Sequence, residues 1–568
     1  MPSAHPIVAA LLALTAAGVA AGCGGGSAKS GGTLTVVNQG DFQEIDPGAS
    51  YYQFDYMIDY ATQRPLYSFK PDETHETPDL AAAPAQISPD NHTVTVRIRS
   101  HVRFSPPVNR EVTSRDVKYA IERAFSAGVP NAYVSAYMPL VGAPGKPTAH
   151  VQRIRGITTP DRYTIRFQLA KPTGSFFAQS LALPASAPVP PEYASRFDDQ
   201  NPSTYGTHQV ATGPYMIRND RRGTLIGYSP DRQITLVRNP NWAGATDYRP
   251  AYLNRIVVQE GNTDAAAATR EVFTGSGMIT GDVTPPGASL RDATTIYKKQ
   301  LATPYSGGWR WVALDTKQKP FDDIDVRKAV IAGLDKTALR QARGGPTIGT
   351  LAYHFIPPEF PGYEQSGGSS SPYDFMSSPT ANPAVSAKYF KAAGLPSGKY
   401  TGPNRNVTLT CDAADPGKAV CAVVADELQG MGFNPSIQSL PREKTVSVYG
   451  IPSKEPAVLP DASWIKDFYD PETLLDNAFD GRAILPENNS NYAQLNDPTI
   501  NAMFARAAVL RDFQARVDAY AAINKAVVAQ AVGVPFVWDR QPTAESRDVK
   551  GVINKFNSIW DLSFTSLR

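Results

Sequence analysis

The sequence predicts an α/β protein built from more than one domain, and three observations lead to that prediction. The chain has 568 residues, enough for two to four domains of ordinary size. Hydrophobic patterns of helical period and of strand period both recur along it. A strand pattern at 406–411, a helical pattern at 416–431 and a strand pattern at 434–440 form a β-α-β unit. Such a unit implies two parallel strands joined by a right-handed crossover.

The composition excludes several classes of protein. Hydrophobic residues make up 42% of the chain and charged residues 19%, which is typical of a globular protein and excludes a fully disordered or fibrous one. Lys and Arg number 55 against 53 Asp and Glu, so the net charge is only +2. This balance indicates neither a nucleic-acid partner nor a strongly basic one.

Local patterns predict the main elements in chain order. Apolar residues alternate with polar ones at 34–36, 94–98 and 163–169, as they do in half-buried strands. Residues 113–116 (TSRD) form a capping box, which predicts that a helix begins there. Helices with an apolar face are predicted at 117–125, 326–334, 384–393, about 497–512 and about 514–531.

The N-terminal segment predicts export. Residues 7–21 are apolar or small without a break, a run too short for a membrane span but suited to a secretory signal. The run ends in Ala-Ala-Gly before Cys23 and resembles a bacterial lipobox. We therefore expect a signal peptide at 1–22, a lipidated Cys23, and a flexible Gly/Ser tether within 23–31. An ordinary signal peptide with an incidental cysteine is the alternative.

The other two cysteines lie ten residues apart. Outside the cytoplasm a disulfide can persist, so Cys411 and Cys421 are expected to form a local one. Two free buried thiols are the alternative. Neither arrangement indicates catalysis.

A search for catalytic and metal-binding patterns finds none. The seven histidines have no metal-ligand spacing, and there is neither a Cys-x-x-Cys nor a Gly-x-Ser-x-Gly motif. Residues 142–146 look like part of a phosphate loop, but Pro147 stands where a Ser or Thr would hold magnesium. We predict no catalytic residues, no metal, no cofactor and no enzymatic activity, although a site assembled from distant Ser, His and Asp residues stays open.

Short motifs recur in a fixed order along the chain. They are 32–36 (GTLTV), 46–47 (DP), 65–67 (PLY), 78–81 (PDLA), 96–99 (VRIR), 102–105 (VRFS), 112–117 (VTSRDV), 212–215 (TGPY), 238–242 (RNPNW), 320–329 and 464–471 (WIKDFYDP). Together they resemble the bacterial family-5 solute-binding proteins, the peptide-binding class of ABC importers. One departure is Pro106-Pro107, where the family has Asp-Gly.

The resemblance implies a periplasmic-binding-protein-like α/β fold of type II, cluster C. In such a fold two lobes close over a ligand about a hinge, and an extra small domain is added. Hinge crossings are expected near 304–308 and 533–535. The expected parts are lobe I at 32–68, 207–303 and 536–568, domain II at 69–206, and lobe III at 304–535.

The resemblance also implies a ligand site. Trp464 and Asp467 match the family segment that holds the amino terminus of a bound peptide. An α-ammonium enters a dry cleft only if a carboxylate meets it, and a Trp can wall the pocket. A surface Asp beside a core Trp is the alternative, and Lys466 would compete for the carboxylate.

Four further aromatic residues are weaker candidates for the ligand site. Tyr51 and Tyr52 follow the first loop and either face the cleft or pack in a core. Trp309 and Trp311 adjoin the expected hinge and, being two apart on a strand, share one face. That face either lines the cleft or belongs to the core.

The resulting hypothesis is a lipid-anchored, extracytoplasmic receptor that captures short peptides for an ABC permease with cytoplasmic ATPases. We expect a monomer with no nucleic-acid partner. Because fold does not decide the ligand, a nickel chelate, haem, an opine or an oligosaccharide stays an alternative, as does a sensing role.

Overall fold

The computed structural model describes residues 30–568 except 41, 43, 53 and 488, and leaves out the side chains of 442, 443, 446 and 447. The expected signal peptide, Cys23 and most of the expected tether therefore lie outside the described residues. Among the helices that are described, none combines the length and the hydropathy that crossing a membrane requires.

Strands and helices alternate along the chain. The strands are β1 (Thr33–Val37), β2 (Tyr67–Ser68), β3 (Thr77–Pro78), β4 (Gln86–Ile87), β5 (Thr93–Arg97), β6 (Ile157–Asp161), β7 (Thr164–Gln168), β8 (Tyr215–Ile217), β9 (Tyr228–Ser229), β10 (Gln233–Arg238), β11 (Arg255–Gln259), β12 (Ile279–Thr280), β13 (Leu301–Ala302), β14 (Tyr305–Leu314), β15 (Gly349–Leu351), β16 (Asn406–Asp412), β17 (Asn434–Leu440), β18 (Val458–Ile465), β19 (Gly533–Arg540), β20 (Thr543–Ala544), β21 (Val549–Lys550) and β22 (Ser566–Leu567). The α-helices are α1 (Asp55–Thr62), α2 (Ser114–Arg123), α3 (Val134–Tyr137), α4 (Gly174–Ser180), α5 (Pro191–Asp198), α6 (Ala265–Thr274), α7 (Gly287–Thr295), α8 (Ile324–Gly333), α9 (Lys336–Arg343), α10 (Tyr363–Ser366), α11 (Asp374–Ser377), α12 (Pro383–Ala392), α13 (Gly417–Gly430), α14 (Arg442–Tyr449), α15 (Glu472–Phe479), α16 (Pro498–Ala507) and α17 (Phe513–Ala529).

Lobe I is assembled from distant parts of the chain. Its sheet has the order β12-β1-β11-β10-β8, with β9 beside β10. Strand β1 is parallel to both β11 and β12, while β10 is antiparallel to its neighbours. The C-terminal segment returns to this lobe, because Trp560 and Leu562 are buried in the same core as Leu34 and Val36.

Domain II has its own antiparallel sheet, in the order β4-β5-β7-β6. The predicted alternation holds, since Val94 and Val96 are buried while Arg97 is exposed. Helix α2 begins with the predicted capping box, in which Thr113 and Asp116 each accept from the other's backbone N–H. The apolar residues of α2 pack onto the sheet in one core.

Lobe III contains the largest core. Its sheet has the order β15-β19-β14-β18-β16-β17. Strands β16 and β17 are parallel and α13 connects them, so the predicted β-α-β unit is confirmed. In the structure a disulfide joins Cys411 at the end of β16 to Cys421 in α13, with Cα atoms 6.1 Å apart. It ties the strand to the crossover helix that packs on it.

Two neighbouring segments connect lobe I to lobe III. Strand β13 pairs with β20 on the lobe I side, and Tyr305 pairs with Arg540 on the lobe III side. Between these pairs the Gln541 N–H donates to the Pro304 carbonyl oxygen over 2.9 Å. The predicted crossing at 304–308 thus lies at the start of β14.

The second predicted crossing and the predicted boundary at 535/536 are wrong. Gly533 to Pro535 lie inside the lobe III sheet, where Gly533 pairs with Ala313 and Pro535 with Trp311. Strand β19 continues in that sheet to Arg540. The chain therefore leaves lobe III at about 540–542, where it lies beside the outgoing segment. Gly533 instead allows close pairing of β19 with β14, because a Cβ at this position would lie 2.2 Å from the Val312 carbonyl oxygen.

Candidate functional site

Asp467 lies where lobe I, domain II and lobe III meet. It follows the end of β18 and is half-buried. Its Oδ1 accepts a hydrogen bond from the hydroxyl of Tyr133 of domain II over 3.0 Å, and its Oδ2 accepts from the hydroxyl of Thr473 over 3.0 Å. Tyr56 of lobe I in turn donates to the Tyr133 oxygen over 2.8 Å. A single carboxylate thus connects all three parts of the molecule.

The segment around Asp467 holds the carboxylate in place. The Asp467 N–H donates to the Thr473 hydroxyl oxygen over 2.8 Å, and the Trp464 indole N–H donates to the Thr473 carbonyl oxygen over 2.8 Å. Thr473 belongs to the first turn of α15, so the start of this helix positions the carboxylate. Trp464 is buried, and its indole hydrogen bond helps to fix this turn.

The carboxyl group of Asp467 has no cationic partner in the part of the chain that the structure describes. Its removal from water raises its pKa to about 7. Lys466 does not neutralise it, because the Lys466 Nζ donates to the Ser306 carbonyl oxygen over 3.0 Å and lies 4.9 Å from the Phe556 ring centroid. The expected competition between these two neighbours therefore does not occur.

Acidic groups also surround the start of α15. Burial raises the pKa of both Glu472 and Asp476 well above the ordinary range. Repulsion by Asp476 adds to this effect at Glu472, and repulsion by Asp480 adds to it at Asp476. Asp470 is paired with Arg516, whose Nη2 lies 2.7 Å from Asp470 Oδ2. Because burial favours the neutral forms of Glu472 and Asp476, and Asp470 has Arg516 as its partner, these neighbours add little negative charge beside Asp467.

Tyr51 and Tyr52 lie beside this carboxylate. The Tyr51 ring centroid is 5.4 Å from that of Tyr133 and 5.3 Å from that of Tyr52. Both tyrosines are half-buried. Burial raises the pKa of the Tyr51 hydroxyl well above its ordinary value, and Tyr492 of lobe III and Asp467 both lie within electrostatic range of that hydroxyl. The structure thus brings Tyr51, Tyr52 and Asp467 together.

Trp309 and Trp311 do not line this site. Both are fully buried in the core of lobe III. Trp309 packs edge-on against Phe355 at 5.5 Å, and Trp311 against Phe479 at 5.6 Å. The two do share a face, as predicted, but that face is covered by apolar side chains, so the prediction that they contact ligand is corrected.

The sequence reasoning missed three residues of the site. Thr473 could have been found, because it stands six residues after Asp467 at the start of a predictable helix. Tyr133 and Tyr492 lie 334 positions before and 25 positions after Asp467. No local pattern in the sequence singles them out.

Comparison with known proteins places this architecture in a family. The sequence profile of the bacterial extracellular solute-binding proteins, family 5 (middle region), matches residues 76–484. Haem-binding protein A of Haemophilus influenzae is 25% identical over 86% of this chain and 83% of its own length. Di/tripeptide-binding protein 2 of Pseudomonas aeruginosa is 24% identical over 91% of this chain and 92% of its own.

A solved structure extends the comparison to the fold. Clavulanic acid biosynthesis oligopeptide binding protein 2 superposes with a TM-score of 0.82 and 26% identity, covering 95% of this chain and 96% of its own. This likeness confirms the predicted fold class. Since the profile also spans more than half of the sequence, the chain belongs to the bacterial extracellular solute-binding proteins of family 5.

Proposed function

We propose that this protein captures short peptides between its lobes and delivers them to an ABC permease driven by cytoplasmic ATPases. The observation that carries the proposal is the Asp467 carboxylate, which lies at the junction of the three parts, accepts hydrogen bonds from two neutral hydroxyls and meets no cation among the described residues. A peptide α-ammonium supplies the missing charge.

The energetics favour an ammonium at this position. A carboxylate removed from water gains little from neutral donors alone, as its raised pKa of about 7 indicates. An ammonium beside it stabilises the ionised form. Removing one partner of such an enclosed pair costs about 2–5 kcal/mol of binding free energy, mostly because the other charge is left unpaired.

The same geometry supports ligand-driven closure. Tyr51 comes from lobe I, Tyr133 from domain II and Asp467 from lobe III, and the Tyr133 side chain contacts both of the others. A ligand bound there contacts every part at once, so it binds the closed arrangement better than an open one. The permease would recognise the closed, ligand-bound form.

The remaining parts of the proposal rest on the sequence. A lipid on Cys23 would hold the receptor at the outer face of the cytoplasmic membrane, with 24–31 as the tether. The receptor acts as a monomer and is a binding protein without catalytic activity. Relatives named for di- and tripeptides and for oligopeptides support peptides as the ligand class. The haem-binding relative makes haem the main alternative ligand.

The test is native mass spectrometry of residues 24–568, purified without denaturation. We expect co-purified masses of many short peptides, which are lost in Asp467→Ala. Asp518→Ala is the matched control, because Asp518 is an exposed carboxylate on α17 far from the junction in sequence. It should retain the peptides.

Two results would overturn the proposal. One is a single non-peptide mass, such as haem, in the wild-type protein. The other is peptide binding that Asp467→Ala leaves unchanged.

A further inference from the structure

The chain just after Asp467 makes a second contact between lobe III and domain II, outside the ligand site. The Tyr469 ring packs against the hydrophobic cores of both parts. Its centroid lies 4.5 Å from that of the His75 ring of domain II. The Tyr469 N–H donates to Glu76 Oε1 of domain II over 3.4 Å. Tyr469 therefore joins the two parts through both its ring and its backbone.

Two further contacts lie on either side of Tyr469. Phe468 stands edge-on to Phe176 of domain II, with ring centroids 5.5 Å apart. Phe176 is only half-buried, whereas the next residue on α4, Phe177, belongs to the core of domain II. The Arg511 Nη1 of lobe III donates to the Pro89 carbonyl oxygen of domain II over 2.7 Å. We name this contact area the clasp and define it by His75, Phe176, Phe468, Tyr469 and Arg511.

Domain II is fixed to lobe I by buried ion pairs. The two Arg123 Nη groups of domain II each donate to an oxygen of Asp46 of lobe I over 2.7 Å. Asp79 of domain II accepts from Arg64 Nε over 2.7 Å and lies 3.2 Å from Arg249 Nη2, both of lobe I. All five side chains are buried. Because separating such pairs leaves buried charges alone, lobe I and domain II should move as one body.

The contact between domain II and lobe III is of a different kind. No ion pair joins these two parts within the described portion of the chain. A cavity of about 420 Å³ remains beside the Tyr469 ring, between His75 on one side and Phe360 and Phe513 on the other. A single core leaves few voids larger than a water molecule. The clasp thus joins two surfaces that can separate without stranding a charge.

We propose that the clasp stabilises the closed arrangement from outside the ligand site and so sets how tightly the ligand is held, with Tyr469 as its central positioning residue. The effect on the ligand rests on the proposed function. Since lobe I and domain II move together, opening the lobes pulls lobe III away from domain II and breaks the clasp. Apparent affinity falls with the fraction of protein in the binding-competent form, so a weaker clasp means weaker binding at an unchanged site.

The experiment measures closure directly. Nitroxide labels on Lys146→Cys in domain II and Lys391→Cys in lobe III, both exposed positions, report the distance between the two parts by double electron–electron resonance. The sample is the soluble protein, residues 24–568, alone and titrated with a random tripeptide library. We expect a short-distance, closed population without ligand, which the library increases.

His75→Ala/Phe176→Ala should weaken the clasp from the side of domain II and leave the segment of Asp467 unchanged. We expect a smaller closed population without ligand. The library concentration for half-closure should rise about 4- to 100-fold, because each aromatic pair contributes a factor of about 2 to 10. A saturating library should still close the variant, since the ligand site is intact.

Two other variants make the test specific. Tyr163→Ala is the matched control, because its half-buried ring also belongs to domain II but contacts Arg162 and its hydroxyl donates to Glu111 of the same domain. It should close as the wild type does. Arg511→Met weakens the clasp from lobe III and should raise the half-closure concentration about 2- to 10-fold. Arg511 is exposed, so this variant serves if the double variant does not fold.

The outcomes separate this inference from the proposed function. Wild-type closure in both clasp variants, or an equal defect in Tyr163→Ala, would overturn the clasp and leave peptide capture standing. A wild-type protein that the library does not close would overturn the proposed function, while a reduced closed population in the ligand-free clasp variants would still support the clasp. If the wild-type protein never reaches the short distance, both proposals fail.

Discussion

Asp467 and Asp470 stand three residues apart on one segment of lobe III, yet their surroundings differ completely. Asp470 is fully buried and receives the Arg516 Nε and Nη2 at 2.8 and 2.7 Å. Among the described residues, the Asp467 carboxylate accepts only from the hydroxyls of Tyr133 and Thr473. Burial raises the pKa of both carboxyls, and at Asp470 the guanidinium acts in the opposite sense.

The difference teaches how to separate a structural charge from a binding charge. The Asp470 pair lies within lobe III, where both partners come from the same lobe and remain together. The Asp467 carboxylate lies at a junction, where a partner can arrive from solution. A buried carboxylate with an internal cation maintains the lobe. Asp467 has no such cation among the described residues and lies at the junction, which is why we propose it for a cationic ligand group.

The largest expected effect is on stability and comes from breaking the Asp470–Arg516 pair. Arg516→Met leaves Asp470 buried and unpaired, so we expect a loss of about 3–5 kcal/mol in the free energy of unfolding. Denaturant unfolding measures it. Arg516→Met/Asp470→Asn should recover much of the loss, because no charge is then left alone. A single variant as stable as the wild type would show that this pair does not maintain lobe III.

The raised pKa of Asp467 predicts that the stability of the ligand-free protein depends on pH. The pKa of Asp467 is about 7 in the folded protein and about 3.9 in an unfolded chain. The folded state therefore binds this proton more tightly than the unfolded chain does. Protonation of Asp467 contributes fully to the free energy of unfolding below about pH 4, and this contribution is lost as the pH rises to about 7. For this half-buried group we expect about 1–3 kcal/mol. Asp467→Asn should abolish that part of the curve.

The neighbouring Lys466 should behave in the opposite way. Burial lowers its pKa to about 7 in the folded protein, against about 10.4 when unfolded. Between about pH 7 and 10 the unfolded chain holds this proton while the folded protein has released it, so the free energy of unfolding rises with pH. Thermal unfolding of Lys466→Met across this range should lack that rise. A variant curve parallel to the wild-type curve would contradict the assignment.

A smaller effect is expected from the hydroxyl that reaches Asp467 from domain II. Tyr133→Phe removes one donor to the carboxylate, so we expect peptide affinity to fall about 3- to 10-fold. Isothermal titration calorimetry measures it. Tyr137→Phe is the control, because its hydroxyl donates to the Ser180 carbonyl oxygen within domain II. That control should change stability without changing affinity.

The smallest effect is expected from Asp518, an exposed carboxylate on α17. Asp518→Asn should change the free energy of unfolding by less than about 0.5 kcal/mol and leave peptide affinity unchanged. The same unfolding and calorimetry measurements apply. An effect as large as that of Asp467→Asn would remove the contrast between exposed and enclosed carboxylates.

The sequence by itself determined the local elements and the family. Periodicity located the β16-α13-β17 unit, because a buried strand and an amphipathic helix each impose a pattern of fixed period. The capping box at Thr113 was equally local. The ordered motifs were enough to predict the family, its fold and the segment that contains Asp467.

Only the tertiary structure decided which side chains meet. Tyr133 and Tyr492 reach the site of Asp467 from remote parts of the chain, and long-range packing leaves no pattern in a single sequence. The same reason explains the error at Trp309 and Trp311, because a strand of alternating residues does not reveal which face the core covers. Arg310, which stands between the two tryptophans on that strand, has its side chain on the opposite face, where it pairs with Asp539.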